Sequence, residues 1–142
     1  MQAATESKPP SQLLKPVVIF GNLAFVSGQL PRRDGALQYR GRVGEDISAE
    51  DAHAAAASCA LACLDALAHA LGGLDGIAQI IKITGFVASA TTFTGQGAVI
   101  DGASGVLIDR LGERGKHARS AVGVQQLPHG AAVEVEMIVG LK

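Results

Sequence analysis

The chain has 142 residues, which favours a single domain with enough apolar side chains to form a core. Its formal net charge of −1 excludes the broad positive field with which proteins hold nucleic acid, so no nucleic-acid partner is expected. Hydrophobic residues make up 48% of the chain and charged residues 18%, an apolar balance that predicts surface buried between subunits.

The N-terminal region indicates neither export nor membrane insertion. No run reaches the ~18 apolar residues of a membrane span, and residues 1–10 lack the apolar segment of a signal peptide. Pro9 and Pro10 exclude a helix there, so residues 1–11 are expected to form a flexible tail. We expect a cytoplasmic protein without a membrane partner, whose single domain covers residues 12–142.

The domain is predicted to open with a hairpin. Residues 17–20 and 23–27 have the apolar and β-branched content of strands, and a Gly-Asn pair between them predicts a tight turn. Residues 28–31 break the second strand, and a further short strand is expected over residues 37–40.

The first helix is predicted from Ser48 to about Leu71. Ser48 caps the first free N–H groups, acidic residues follow it, and a Gly-Gly pair ends the helix. Cys59 and Cys63 lie one turn apart within it. This spacing favours two small buried residues over a metal site, for which no further ligands can be placed.

A long strand and a second helix follow. Residues 76–89 alternate as a strand does, and Gly85 within them indicates a bulge. Residues 97–111 are predicted as a helix, although Gly102 and Gly105 each cost about 1 kcal/mol relative to Ala. These glycines therefore indicate a close approach by another strand or another subunit.

Residues 117–136 are predicted to form two paired strands joined by a tight turn at residues 127–130, where Pro and Gly favour a turn. Matching the valine faces of the two strands would place Arg119 beside Glu134 and Glu136, because a slip of one residue would mix buried and charged positions. A guanidinium and two carboxylates among small residues suit either a small-ligand site or a surface ion-pair ladder.

The element order β-β-(β)-α-β-α-β-β predicts an α+β fold in which two helices cover one face of a mixed sheet. We expect the helices to lie on the valine face of residues 117–136. The charged residues would then lie on the opposite face, where a second subunit would cover them and complete a site.

Two motifs carry a family resemblance. A-R-S-A-V-G-V-Q-Q-L-P-H-G-A-A-V-E-V-E at residues 118–136 and F-V-S-G-Q-L-P at residues 25–31 resemble the RidA/YjgF family, over roughly residues 20–139. The resemblance implies a chorismate-mutase-like fold and a homotrimer with small-molecule clefts between subunits. It also implies hydrolysis of reactive 2-imino or enamine acids to 2-oxo acids and ammonia, with no cofactor and no metal.

The resemblance also implies roles for individual residues. Arg119 falls on the arginine that binds the substrate carboxylate, which a guanidinium matches through two parallel hydrogen bonds; an ion pair with a neighbouring glutamate is the alternative. Glu134 falls on the acidic residue that positions or activates water, and Glu136 is assigned a structural role. Ser27 and Gly28 fall on positions that line the site.

His117 and Ala121 complete the predicted substrate-binding residues, with His117 a candidate proton shuttle. Ala121 stands where many members carry a cysteine, and Lys15 precedes the first strand where RidA-type enzymes carry a tyrosine. The competing hypothesis is therefore a non-catalytic trimer of the same family that binds small carboxylates. The sequence shows no Ser-His-Asp order, Gly-rich phosphate loop or metal-ligand cluster.

Overall fold

A five-stranded sheet carries two helices on one face in the computed structural model, which describes residues 13–142. The expected α+β fold, with two helices on one side of a mixed sheet, is confirmed. The predicted tail at residues 1–11 lies outside the described residues.

The element order places the last strand in the middle of the sheet, which runs β1-β2-β7-β5-β6. Strands β5 and β6 are parallel and the other neighbours are antiparallel, while β3 and β4 form a separate hairpin in place of the short strand expected over residues 37–40. The elements are β1 Val17–Phe20, β2 Leu23–Gln29, β3 Arg32–Arg33, β4 Ala36–Leu37, α1 Ala49–Leu71, β5 Ile77–Ala88, α2 Gln96–Leu111, β6 Ala118–Val124 and β7 Val133–Leu141, with short 3-10 helices at Gly112–Gly115 and Pro128–Gly130.

Helix α1 begins and ends where its sequence dictates. The Ser48 hydroxyl accepts a hydrogen bond from the Asp51 N–H at 3.1 Å, and Gly72 ends the helix in the left-handed conformation. Half of its buried residues are alanine, which lets the helix axis lie close to the sheet. By length and composition alone α1 would also pass for a membrane-spanning helix, but in this fold its apolar face forms part of the core.

The two cysteines of α1 are buried core residues, which confirms the structural interpretation. The thiols of Cys59 and Cys63 lie 3.6 Å and 3.5 Å from the carbonyl oxygens of Val133 and Val135 in β7. Burial raises the pKa of both thiols, that of Cys63 to about 12, so both are protonated at neutral pH.

Two glycines allow close packing, but not in the way the sequence suggested. Gly85 does not mark a bulge, because the irregularities of β5 lie within residues 77–82; instead the side chain of Ile100 fills the space above Gly85. Gly102 packs directly against the backbone carbonyl of His53, so the close approach is by α1 and not by a strand or another subunit.

The predicted hairpin of β6 and β7 is wrong, because β5 lies between these strands and pairs with both. Residues 125–132 connect them past the end of β5 and contain one 3-10 turn, Pro128–Gly130. Two strand spacings amount to ~10 Å, which a connection of this length spans with ease. The sequence pattern could not exclude this arrangement, because alternation shows which side chains share a face of a strand but not which strands are hydrogen-bonded neighbours.

The faces of β6 are consequently the reverse of those predicted. Arg119 is in register with Ile83, which is fully buried under the helices, so Arg119 lies on the helix side. Val122 is in register with Phe86 and lies on the open side, where it is 41% exposed. The expectation that Val122 packs beneath the helices is therefore wrong.

Strand β7 follows the predicted alternation. Val133 and Val135 are fully buried on the helix side, and Glu134 and Glu136 lie on the open side. Arg119 and the two glutamates thus occupy opposite faces of the sheet, and the predicted patch of one guanidinium and two carboxylates does not form within one chain.

Candidate functional site

Arg119 projects from the edge strand β6 onto the exposed surface of α2. Its Nη1 donates hydrogen bonds to Asp101 Oδ1 at 2.7 Å and to Ser104 Oγ at 3.1 Å. Its Nη2 lies 3.6 Å from the position that a Cβ at Gly97 would occupy. The side chain is 27% exposed, so the guanidinium is oriented by α2 while part of it stays accessible.

His117 reaches the same point from the start of the same strand. Its Nδ1 lies 2.6 Å from the carbonyl oxygen of Gly115, and its Nε2 lies 2.9 Å from Ser104 Oγ. A carbonyl oxygen accepts only, so the neutral imidazole carries its hydrogen on Nδ1, and the Ser104 hydroxyl donates to Nε2. We refer to Asp101, Ser104, His117 and Arg119 as the Arg119 cluster.

Small residues surround the Arg119 cluster and leave it open to a ligand. Gly105 adjoins Ser104, and a Cβ placed there would meet no atom within 4 Å. Gly97 lies beneath Nη2, and Gly123 is exposed further along β6. Ala121 is half-buried on the same face as Arg119. The guanidinium is therefore bordered by residues with small side chains or none.

A second group of polar residues lies on the open face of the sheet, where a bulge in β2 interrupts the pairing with β7 between Val26 and Gln29. The bulge contains Ser27 and Gly28. The Glu134 carboxylate fills the space that a Cβ at Gly28 would occupy, so a larger residue there would displace the end of the Glu134 side chain. We refer to Ser27, Gly28, Glu134 and Glu136 as the open-face group.

Both donors of Ser27 are already engaged. Its backbone N–H donates to the carbonyl oxygen of Pro16 at 2.9 Å, and its hydroxyl donates to the same oxygen at 3.3 Å. Neither donor of Ser27 is therefore free to bind a ligand. The hydroxyl oxygen retains its capacity to accept a hydrogen bond.

The Glu134 carboxyl is the titratable group of the open face whose surroundings favour protonation. Burial raises its pKa above the ordinary value, and the negative charge of Glu136 raises it further. A carboxyl group perturbed in this direction exchanges a proton closer to neutral pH than an ordinary glutamate does.

A groove of about 310 Å³ runs beside the open-face group. Apolar side chains of β1 and β2 form part of its wall, and two lysines and one carboxylate give it charge. The residues that shape it include Lys15, Phe25, Ser27, Lys82, Thr84 and Glu136. Arg119 is absent from its lining, since it lies on the other face.

Residues 11–139 match the family model described as "YjgF/chorismate mutase-like, putative endoribonuclease". The chain belongs to this YjgF/RidA family. The match spans nearly the whole described domain, including both motifs that carry the resemblance.

Other members of the YjgF/RidA family agree with this placement. The protein TCP17 of Trypanosoma cruzi is 43% identical over 125 residues, covering 87% of this chain and 78% of TCP17. The crystal structure of Atu1372 from Agrobacterium tumefaciens, a protein of unknown function, is 45% identical with a TM-score of 0.88, covering 89% and 80% of the two chains. The crystal structure of E. coli TdcF with bound serine is 26% identical with a TM-score of 0.61, covering 89% and 87%.

The predicted site residues fall into two places in this YjgF/RidA member. Arg119, His117 and Ala121 share one side of β6, whereas Ser27, Gly28 and Glu134 meet on the open face. The structure does not bring these two groups together within one chain.

Two residues of the Arg119 cluster were missed by sequence reasoning. Asp101 and Ser104 lie three positions apart, which places them on one face of a helix. That spacing was available from the sequence. Their contact with Arg119 was not, because it depends on the parallel pairing of β5 and β6 and on where α2 crosses the sheet.

Proposed function

We propose that this protein hydrolyses reactive 2-imino or enamine acids to 2-oxo acids and ammonia. The observation that carries the proposal is how the Arg119 guanidinium is held. Its Nη1 is oriented by Asp101 and Ser104, and its Nη2 faces Gly97. A guanidinium held in this way is suited to clamp the carboxylate of a small substrate.

This reaction needs little from the protein beyond the positioning of water and substrate. The carbon of the protonated imine is already electrophilic, so a water oxygen bonds to it. Both protons of that water end on the nitrogen, which leaves as ammonium when the C–N bond breaks and the C=O bond forms. The first of them moves before the C–N bond breaks. Glu134, with its raised pKa, supplies the group that takes and returns this proton. Holding water and substrate in one orientation provides most of the rate increase.

Arg119 and Glu134 lie on opposite faces of the sheet, so the proposal requires a second subunit. In a homotrimer, Arg119 of one chain would meet the open-face group of the next. Two observations support such an assembly: β6 is an edge strand, and the open face exposes large apolar side chains, among them Val18 at 48%, Phe25 at 42% and Val122 at 41%.

Both cysteines are free thiols, which suits a cytoplasmic location.

The alternative is a non-catalytic trimer that binds small carboxylates. The structure of TdcF with bound serine favours this candidate, since serine carries a carboxylate and that protein shares the fold. Such a protein needs the Arg119 clamp but not the proton transfer assigned to Glu134.

The test is release of ammonia or 2-oxo acid from freshly generated 2-iminopropionate and a panel of bulkier imino acids. We expect release above the spontaneous rate, with Arg119→Ala lowering it about 100-fold, since a charged hydrogen-bonded clamp contributes about 3 kcal/mol. Arg110→Ala is the matched control, because Arg110 is exposed in the last turn of α2 and lies outside the site.

Release no faster than background across the whole panel would overturn the enzymatic proposal. Calorimetric titration with the corresponding 2-oxo acids then decides the alternative. Binding that disappears in Arg119→Ala and persists in Arg110→Ala would support a carboxylate-binding trimer.

A further inference from the structure

A hydroxyl and an imidazole lie in direct contact within the Arg119 cluster. In the imine hydrolysis proposed above neither forms a bond or transfers a proton, and Ser104 serves there only to orient Arg119. Ser104 Oγ is 2.9 Å from His117 Nε2, and the partner on Nδ1 fixes the tautomer so that Nε2 presents its lone pair to the hydroxyl. We propose that Ser104 is a nucleophile and His117 its general base, which makes this edge of the sheet a second catalytic site, for ester hydrolysis.

The arrangement has the three parts that an activated hydroxyl needs: the nucleophile, a base in hydrogen-bond contact, and a group that orients the base. Here the orienting group is the carbonyl of Gly115, at 2.6 Å from Nδ1. Gly115 is buried against α2, and a Cβ there would collide with the backbone of Leu107. The orienting carbonyl is therefore tied to the same helix that carries Ser104.

Arg119 supplies the electrostatic part of the site. Its Nη1 donates to Ser104 Oγ at 3.1 Å, so a cation lies beside the oxygen that develops negative charge as its proton moves to His117. The same guanidinium is within reach of the oxyanion that forms when a carbonyl carbon bonds to Oγ. Its second nitrogen faces Gly97, where the carboxylate of an anionic substrate can bind.

Ser104 is half-buried, so it is partly accessible from solvent, and its neighbour Gly105 is exposed and has no side chain. An acyl group can approach Oγ along this exposed surface of α2. The substrate class that fits is a small ester whose acyl part carries a carboxylate.

The reaction balances without a further reactant. Ser104 Oγ bonds to the ester carbonyl carbon while its proton moves to His117 Nε2, and the bond to the alcohol oxygen breaks as that oxygen takes the proton from His117. Water then bonds to the acyl carbon, its proton passing through His117 to Ser104 Oγ as the acyl–Oγ bond breaks. The sum is ester plus water to carboxylic acid plus alcohol.

The first test is covalent labelling of the full chain with a fluorophosphonate, followed by peptide mass spectrometry. We expect the label on Ser104, no label there in Ser104→Ala, and labelling about 100-fold slower in His117→Gln, which lacks the base. Ser120→Ala is the matched control and should label at the wild-type rate, because Ser120 shares β6 but lies in register with Thr84 on the open face.

The second test compares two p-nitrophenyl esters, one of a dicarboxylic acid and one of acetic acid. Arg119→Ala should slow release of nitrophenolate from the anionic ester at least tenfold more than from the acetate. Neither test measures imine turnover, and the labelling test does not depend on the Arg119 carboxylate clamp on which the proposed function rests, so either function can fail alone. Ser104 left unlabelled in folded protein, or labelled equally fast in His117→Gln, would overturn the proposal.

Discussion

The two faces of the central sheet are built differently along the same strand. On the helix side of β7, Val133 and Val135 are fully buried against α1. On the open side, Glu134 and Glu136 alternate with them, near the exposed apolar side chain of Phe25. The first face is complete within one chain, whereas the second combines charge with uncovered apolar surface. One side of the strand thus belongs to the core and the other carries the proposed site residue Glu134, and the period of two places them on opposite faces.

The largest expected effect concerns two glycines of α2, of which one faces the core and the other solvent. Gly102→Ala would drive a Cβ into the backbone carbonyl of His53, and α1 and α2 would have to separate. We expect a loss of about 3 kcal/mol in the free energy of unfolding, measured by urea denaturation. Gly105→Ala, three residues on, meets no atom and should gain about 0.5–1 kcal/mol from helix propensity. Equal effects at the two positions would contradict the observed packing of the helices.

The second-largest expected effect is the difference in stability between substitutions of one valine on each face of the sheet. Val135→Ala removes two fully buried methyl groups and should lower the free energy of unfolding by about 2 kcal/mol. Val122→Ala should leave the fold stable within about 0.5 kcal/mol, since Val122 is 41% exposed in the single chain. If the open face is covered in a trimer, Val122→Ala should instead shift the assembly towards smaller species in sedimentation velocity. An unchanged sedimentation profile would mean that this part of the open face is not an interface.

The smallest effect is a pH dependence at Glu134. Its folded-state pKa is raised by burial and then by Glu136, so the folded state holds its proton more tightly than the unfolded chain does. Ionising Glu134 therefore costs stability, which is lost as pH rises from about 4.3, the ordinary glutamate pKa, through the raised value. Glu134→Gln should raise Tm at pH 7.5 and change it less at pH 4. Glu45→Gln, at an exposed turn residue, is the control. A larger gain at pH 4 than at pH 7.5 in Glu134→Gln would show that the sign is wrong.

The parts of the fold that depend on local chemistry were predictable from the sequence. Ser48 and the glycines after Leu71 bound α1 because capping and left-handed termination act within a few residues. The first hairpin follows from a two-residue turn. The alternation along β7 also assigned Glu134 and Glu136 to the face opposite the valines.

The errors concern which elements are neighbours. Strands β6 and β7 are consecutive in sequence, but β5 is apolar enough to pair with both and separates them. Because β5 lies between β6 and β7, Arg119 lies on the helix side of the sheet and pairs with Asp101 and not with the expected glutamate. The same arrangement also brings Ser104 to His117 across the gap between α2 and β6. Contacts of this kind depend on the packed arrangement of several elements, and no local pattern encodes them.

The pairing of Asp101 with Arg119 has a consequence for selectivity. Asp101 is a tethered carboxylate, present at an effective concentration of about millimolar or above, and it already satisfies one nitrogen of the guanidinium. A simple anion such as chloride or acetate gains little by competing with it. Under the proposed function, a ligand that also contacts a second group would gain enough to bind, and the pair would act as an affinity threshold against anions with a single anchor.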